Sequence, residues 1–427
     1  YWKMSVIVTK SRPLLVRPST EQSTPTTPDH IKVSSFDKAL AFSAFSSFHV
    51  FDGAIHEPAE TIKRALSRAL DHFRLIAGRV VVGDNGSELY IACTGEGVEF
   101  VAATASRALE DVKVFDPPFA GLLKDLAVDY PEASCRVTDP LLLMQVTEFS
   151  CGAFVLGVTW NHVVADGTGI ALLLRAVGEL ARGLARPSVS PVTCADQFMP
   201  DFPPLAASIV KAMLGQLEPQ DYPYLDITVP MSTIGRIKAK IGDELGAPCT
   251  VFEAATAVLW QCRSRAIMPD GDPDSAAPLV FAANARRHVG AGDGYYSNCV
   301  TTHVVAPPPT IREAAEGDMK DLVKLIRGGK EQVPGTLAGE EVEGVPGLET
   351  LFGYSALFVT SWRNLGFEAT DFGGGTPARV MGHVGPRSVP ACVACLPCRD
   401  KDGANMLSRF VKEEHRGAFL TELAKFT

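Results

Sequence analysis

A chain of 427 residues that is 46% hydrophobic and 21% charged can build more than one core, and two domains is the natural count. The net charge of −9, from 49 acidic and 40 basic residues, argues against nucleic acid as a partner, and an anionic ligand would need a local basic patch. No window reaches 18 uninterrupted apolar residues, no signal peptide is evident, and the ten cysteines do not form a disulfide framework, so a reduced cytoplasmic monomer without a membrane span is expected.

In chain order, Val6–Val8 and Leu14–Val16 read as short strands before an exposed Ser/Thr/Pro loop, Ser19 to Asp29. Ser34-Ser35-Phe36-Asp37 suits a helix cap, because Ser and Asp satisfy free backbone N–H groups. Ile62, Ala65, Leu66, Ala69, Leu70 and Phe73 fall on one face of a helix predicted over Ala59–Phe73. Arg79–Val82 and Leu89–Ala92 flank Asp84-Asn85-Gly86 as a hairpin, whereas residues 94–140 give no clear element. Leu141–Phe149 and Ala153–Trp160 are strand-length apolar runs joined at Ser150-Cys151-Gly152, and a helix follows at Ile170–Leu180.

A composition break at Gly183–Pro191 and Pro200–Pro204 divides the chain into residues 1–190, a crossover over 191–220 with a short helix at Leu205–Leu214, and residues 221–427. The second part repeats the same kind of material. Strands are predicted at Ile227–Val229, Leu279–Ala283, Leu357–Thr360 and Met381–Val384. Helices are predicted at Thr233–Gly242 (basic and amphipathic), Val251–Gln261 (buried, capped by Thr250), Thr310–Leu325 and Gly417–Lys425, with a flexible acidic loop over Gly328–Gly347.

Chemistry concentrates in Trp160-Asn161-His162-Val163-Val164-Ala165-Asp166-Gly167-Thr168-Gly169. A histidine between a buried strand and a new helix, beside glycines that let the chain turn, is placed as catalytic histidines often are. A lone buried histidine is also commonly structural. His162 and Asp166 are spaced as two metal ligands on a helix would be, but no third ligand accompanies them and the glycines oppose a regular helix. No G-x-S-x-G elbow is present to supply a serine nucleophile. Cys392-x-x-Cys395-x-x-Cys398 lacks a fourth ligand, the nearest histidine being His383, and its cysteines read as small buried residues of a strand. No metal is expected.

Joined to Asp371-Phe372-Gly373-Gly374-Gly375, the His162 stretch resembles the plant BAHD acyl-CoA-dependent acyltransferases, whose signatures are H-x-x-x-D and D-F-G-W-G. His162 to Asp166 fits the first completely; the second fits in four places of five, with Gly374 where the family has Trp. Further likeness lies in Ser11–Pro18, Leu75-Ile76-Ala77-Gly78-Arg79, Ser34 to Asp37, Asn284–Asn298 and Thr360-Ser361-Trp362, so the resemblance covers nearly the whole chain.

The resemblance implies an α/β fold of two chloramphenicol acetyltransferase-like domains, each a mixed β-sheet with flanking helices, and an active-site channel at their interface. It implies an aromatic acyl group, hydroxycinnamoyl or benzoyl, moved from its CoA thioester to a hydroxyl or amine of a small plant metabolite. Acyl-CoA would be a co-substrate and CoA a product, with no tightly bound cofactor. His162 would be the general base, a task suited to a neutral imidazole, and no acyl-enzyme would form. Asp166 would give structural support by pairing with Arg286. Thr360 and Trp362 would hydrogen-bond the oxyanion or substrate, and Ser35 would border the acceptor. Asp371, Gly373 and Gly375 would be structural, and the volume of the missing Trp would be supplied elsewhere or forgone. Arg236, Lys238, Lys240 and Arg287 are the basic residues offered to the CoA phosphates, although each taken singly reads more readily as a solvated surface charge. Acetyl or malonyl transfer is one alternative; a silent metabolite- or protein-binding relative, favoured only by Gly374, is another.

Overall fold

The computed structural model describes residues 6–20, 29–112, 120–131, 134–215, 220–382 and 389–426. The expected Ser19–Asp29 loop lies mostly outside them, as do His383 and the end of the expected Met381–Val384 strand. Two compact units are present. The first is Tyr1–Asp201 with Val289–Cys299 and Asn364–His383; the second is Phe202–His288 with Val300–Arg363 and Val384–Thr427. The expected division at 191–220 was sequential, whereas both units take up separated stretches of chain.

The first unit is built on a seven-stranded sheet. Its spatial order is Val8–Lys10, Val98–Ala105, Leu142–Phe149, Phe154–Asn161, Ala44–Phe51 and Arg379–Gly382, with Leu14–Val16 also paired to Val98–Ala105. Only Val98–Ala105 and Leu142–Phe149 run parallel. Leu142–Phe149 and Phe154–Asn161 are buried along almost their whole length, which is why they read as continuous apolar runs rather than alternating ones. The helices Pro58–Leu70 and Gly167–Ala181 pack on each other, and Pro58–Leu70 also lies on Leu142–Phe149. Arg379–Gly382, from far along the chain, closes one sheet edge by pairing Arg379 with Val50 through Gly382 with Ser47. His30–Lys32, Leu89–Ala92 and Arg79–Val82 form a separate small sheet.

The second unit carries a six-stranded sheet ordered Leu225–Val229, Ala404–Arg409, Ala391–Cys395, Leu357–Ser361, Leu279–Asn284 and Val300–Val304. Leu357–Ser361 runs parallel to both of its neighbours and the remaining pairs are antiparallel. The helix Val251–Ile267 is buried on nearly every face and packs against Ile311–Glu316, Met319–Glu331 and Glu413–Ala424. Thr250 and Glu253 cap it reciprocally: Thr250 N donates to Glu253 Oε2 at 2.9 Å and Glu253 N to Thr250 Oγ1 at 3.2 Å. The helix expected over Thr310–Leu325 is two, broken at Gly317, with Asp318 capping the second. Helix also fills part of the expected acidic loop, at Met319–Glu331 and Val333–Leu337. Each unit is thus an open mixed sheet with flanking helices. Among the described residues no helix is long and apolar enough to cross a membrane, and no group of three or more His, Cys, Asp or Glu could hold a metal.

Candidate active site

The Phe154–Asn161 strand ends on a side chain that closes the turn. Asn161 Oδ1 accepts from Phe42 N at 3.0 Å and from Val163 N at 3.1 Å, while His162 N donates to Ser43 O at 2.8 Å. The helix Gly167–Ala181 then starts from Asp166 as its N-cap. Asp166 Oδ1 accepts from Gly169 N at 3.1 Å and Oδ2 from Cys299 N at 2.9 Å. A Cβ on Gly169 would stand 1.9 Å from Tyr296 O, so glycine is required where residues 295–299 pass over the helix start.

Those residues hold the imidazole. His162 Nδ1 and Asn298 Oδ1 are 2.8 Å apart, and the His162 ring stands edge-on to Phe45 with centroids 4.7 Å apart. Asn298 Nδ2 donates to His162 O at 2.6 Å and to Asp37 Oδ1 at 2.8 Å, and Asn298 N donates to the same Asp37 oxygen at 2.8 Å. Asp37 Oδ2 accepts from Ser34 N at 3.0 Å and Ser34 Oγ at 2.6 Å, completing a capping box on the helix Ser35–Ala39. Burial pushes the Asp37 carboxyl above its ordinary range against these hydrogen bonds. Burial lowers the His162 imidazole below its ordinary value, against the Asp166 charge and the Asn298 hydrogen bond. A buried, neutral imidazole held at one nitrogen is equipped to exchange a proton at the other.

The other expected site residues are placed as follows. Ser35 opens the helix Ser35–Ala39, and its hydroxyl donates to Pro200 O at 3.4 Å; the cap itself is Ser34. In the second unit Thr360 is half-buried on Leu357–Ser361, and the buried Trp362 donates its backbone N–H to Ala394 O at 2.7 Å. Arg286 is buried at the start of the short helix Arg286–Val289, with its N donating to Asn284 Oδ1 at 3.0 Å. Arg236, Lys238 and Lys240 share the helix Met231–Leu245, where Arg236 bonds Thr233 Oγ1 at 3.0 Å; Arg287 lies exposed on Arg286–Val289.

Asp371 closes its own loop. Its Oδ1 accepts from Gly373 N at 2.7 Å and Gly375 N at 3.0 Å, and these glycines adopt φ of +113° and +103°. Arg182, at the far end of Gly167–Ala181, reaches Asp371 Oδ2 at 3.1 Å and Asp371 O at 2.7 Å. At Gly374 a Cβ would meet Gly53 O at 2.8 Å and Ile55 Cγ2 at 2.9 Å. The space around this Cα is therefore taken by the 53–55 backbone and Ile55.

Two members of the His162 network do not stand out singly in the sequence. Asn298 ends the Asn284–Asn298 stretch, and Asp37 reads as part of a helix cap. The signal was a second use for each side chain, which spacing alone does not display.

Both units are open mixed sheets, and His162 stands at a strand-to-helix turn with its imidazole held by Asn298. The Transferase family model matches residues 6–422. The chain is 41% identical to Acyl transferase 15 of Oryza sativa subsp. japonica, over 99% of both chains. It is 32% identical to a myricetin 3-O-glucosyl 1,2-rhamnoside 6'-O-caffeoyltransferase of Crocosmia x crocosmiiflora, over 99% of this chain and 100% of that one. The fold matches Vinorine Synthase with a TM-score of 0.74 at 21% identity, over 99% of this chain and 98% of that one. The chain belongs to the plant BAHD-type acyl-CoA acyltransferases of the Transferase family.

Proposed function

We propose that the protein moves a hydroxycinnamoyl or benzoyl group from its CoA thioester to a hydroxyl or amine of a small plant metabolite, with Nε2 of His162 as the base. The observation that carries this reading is the 2.8 Å contact between His162 Nδ1 and Asn298 Oδ1, which leaves Nε2 for the acceptor. As the acceptor oxygen or nitrogen bonds to the thioester carbonyl carbon, its proton passes to Nε2. The tetrahedral intermediate collapses, the C–S bond breaks, and the imidazolium returns the proton to the departing thiolate. No serine ester or cysteine thioester is formed, in keeping with the missing elbow.

Thr360 and Trp362 are proposed as donors to the oxyanion, on the chemistry of a hydroxyl and an indole N–H. Arg236, Lys238, Lys240 and Arg287 are proposed contacts for CoA phosphates, on charge alone. Asp166 is proposed to support the His162 loop through Gly169 and Cys299. The aromatic donor class is supported by the caffeoyltransferase name of the Crocosmia relative.

The test is CoA release from p-coumaroyl-, feruloyl-, benzoyl-, acetyl- and malonyl-CoA, with and without pooled alcohol and amine acceptors. Acceptor-dependent release with the aromatic donors is expected to fall by about 10²- to 10⁴-fold in His162→Ala. Preference for acetyl- or malonyl-CoA would overturn the donor class, and equal release by wild type and His162→Ala would overturn the base.

A further inference from the structure

We propose that Asp37 and Asn298 are positioning residues that fix the tautomer of His162, so that Nδ1 carries the proton and Nε2 presents its lone pair. The inference rests on His162 being the base.

The amide orientation of Asn298 follows from what surrounds it. Both oxygens of the Asp37 carboxyl accept from backbone N–H groups, which only donate: Oδ2 from Ser34 N and Oδ1 from Asn298 N. Oδ2 accepts from Ser34 Oγ as well, and Oδ1 lies 2.8 Å from the Asn298 amide, to which it offers an acceptor. His162 O is likewise an acceptor only, at 2.6 Å from Nδ2. Turning the amide over would set its oxygen against two acceptors at once. The Asn298 oxygen therefore faces His162 Nδ1, and an oxygen there requires N–H on the imidazole. Of the two neutral tautomers, only this one has a basic Nε2.

The arrangement is a chain in which each link removes one freedom. The Ser34–Asp37 capping box holds the carboxylate, the carboxylate holds the amide, and the amide selects the imidazole proton. Ionisable neighbours do not blur the assignment. Asp166 acts on His162 through charge and itself bonds to backbone N–H groups, and the Cys194 thiol near Asp37 is pushed up to about 12 by burial and stays neutral.

The experiment uses the full chain, labelled with ¹⁵N-histidine, with the His162 signals assigned by their loss in His162→Ala. In wild type near neutral pH, Nε2 is expected in the range of an unprotonated ring nitrogen and Nδ1 in that of a protonated one. In Asn298→Ala and in the isosteric Asp37→Asn the two nitrogens should move towards averaged positions. In parallel, kcat should fall about 100-fold in Asn298→Ala and about tenfold in Asp37→Asn, with the KM for acyl-CoA changing less than about threefold. The acid limb of the kcat/KM profile should move to lower pH in Asn298→Ala, because a bond favouring the imidazolium is lost. A merely structural role would lower Tm and leave the limb and the nitrogen shifts in place.

A wild-type spectrum with the proton on Nε2 overturns the proposal, whether or not either variant folds. So does an unchanged kcat in both variants while His162→Ala is inactive. If His162→Ala keeps its acceptor-dependent turnover, the base assignment fails first and this inference falls with it.

Discussion

The two signature motifs lie at opposite ends of one helix, Gly167–Ala181, whose 15 residues span roughly 22 Å. Each centres on an aspartate beside glycines, and each aspartate accepts two backbone N–H bonds. At the N-terminal end those bonds come from Gly169, in the helix, and Cys299, in the segment that holds His162 through Asn298. At the C-terminal end they come from Gly373 and Gly375, within the same short loop. The helix dipole favours a carboxylate at the first end and disfavours one at the second, where Arg182 compensates. The same chemical device thus ties the helix start to the segment that holds the proposed base in one place and closes a short loop in the other.

Asp166→Ala should show the largest effect, because it removes function and stability together. The helix loses its cap, worth about 1 kcal/mol, and the buried Cys299 N–H loses its acceptor, worth about 1–3 kcal/mol. We expect an unfolding free energy lower by about 3 kcal/mol in urea titration, and kcat lower by about 10²-fold as the His162 loop loosens. Full activity at reduced stability would remove the functional difference between the two ends.

Crowding the distal end should do the reverse. A Cβ on Gly53 would stand 1.8 Å from Gly374 O, so Gly53→Ala must displace one backbone or the other. The expected loss is about 2–3 kcal/mol in unfolding free energy, with kcat within about twofold of wild type once the protein is folded. Restoring bulk by Gly374→Trp should be no better tolerated, since Gly53 O and Ile55 already occupy that side.

Legibility in the sequence followed how local each feature is. Leu142–Phe149, Phe154–Asn161 and the turn to His162 were readable because apolar runs and glycines state them in place. Val98–Ala105 does not stand out in the sequence although it lies between two other strands of the sheet: the Ala-rich second half of VEFVAATA has weak β signals, and pairing on both sides supplies what propensity lacks. The membership of Arg379–Gly382 in the first sheet could not be read, since its register is set by Ala44–Phe51, hundreds of residues earlier. Asn298 and Asp37 were each visible as part of a motif, but their joint bond exists only in three dimensions. The basic residues Arg236, Lys238 and Lys240 show the limit of charge patterns: helical spacing placed them on one helix without identifying a ligand.

Acid should weaken the protein through its buried histidines, and the two ends differ here as well. His162 is bonded through Nδ1 to Asn298, whereas His49, edge-on to Phe367 near the distal loop, bonds Ser47 Oγ through Nε2. Among the described residues His49 Nδ1 has no partner. Burial lowers His49 to about 3, while an unfolded histidine titrates near 6.5. The folded value is depressed, so the contribution is present in full above pH 6.5 and is lost as pH falls towards 3, because the unfolded chain takes up a proton that folded His49 refuses. The slope is about 1.4 kcal/mol per pH unit, or about 2 kcal/mol by pH 5. Urea unfolding at pH 7 and pH 5 should show that difference shrinking by this amount in His49→Leu, and an unchanged difference would assign the acid sensitivity to other groups.

Asp371→Ala is the mildest case and the sharpest control. Its carboxylate is partly exposed, and the Arg182 pair, with side chains 33% and 28% exposed, is screened by solvent. Its hydrogen bonds to Gly373 and Gly375 shape a loop whose glycines already tolerate the required positive φ. Together these leave about 1 kcal/mol to lose. Burial opposes ionisation, but the two N–H bonds and Arg182 prevail and hold the Asp371 carboxyl below its ordinary value. Its small contribution should therefore persist at neutral pH and vanish as pH falls through the carboxylate range. Activity should stay within about twofold, because among the described residues the bonds of Asp371 run to Arg182, Gly373 and Gly375 and not to residues 295–299. A large loss of kcat with little loss of stability would show that this end of the helix acts on His162 after all, and the contrast between the two aspartates would then be one of distance rather than of role.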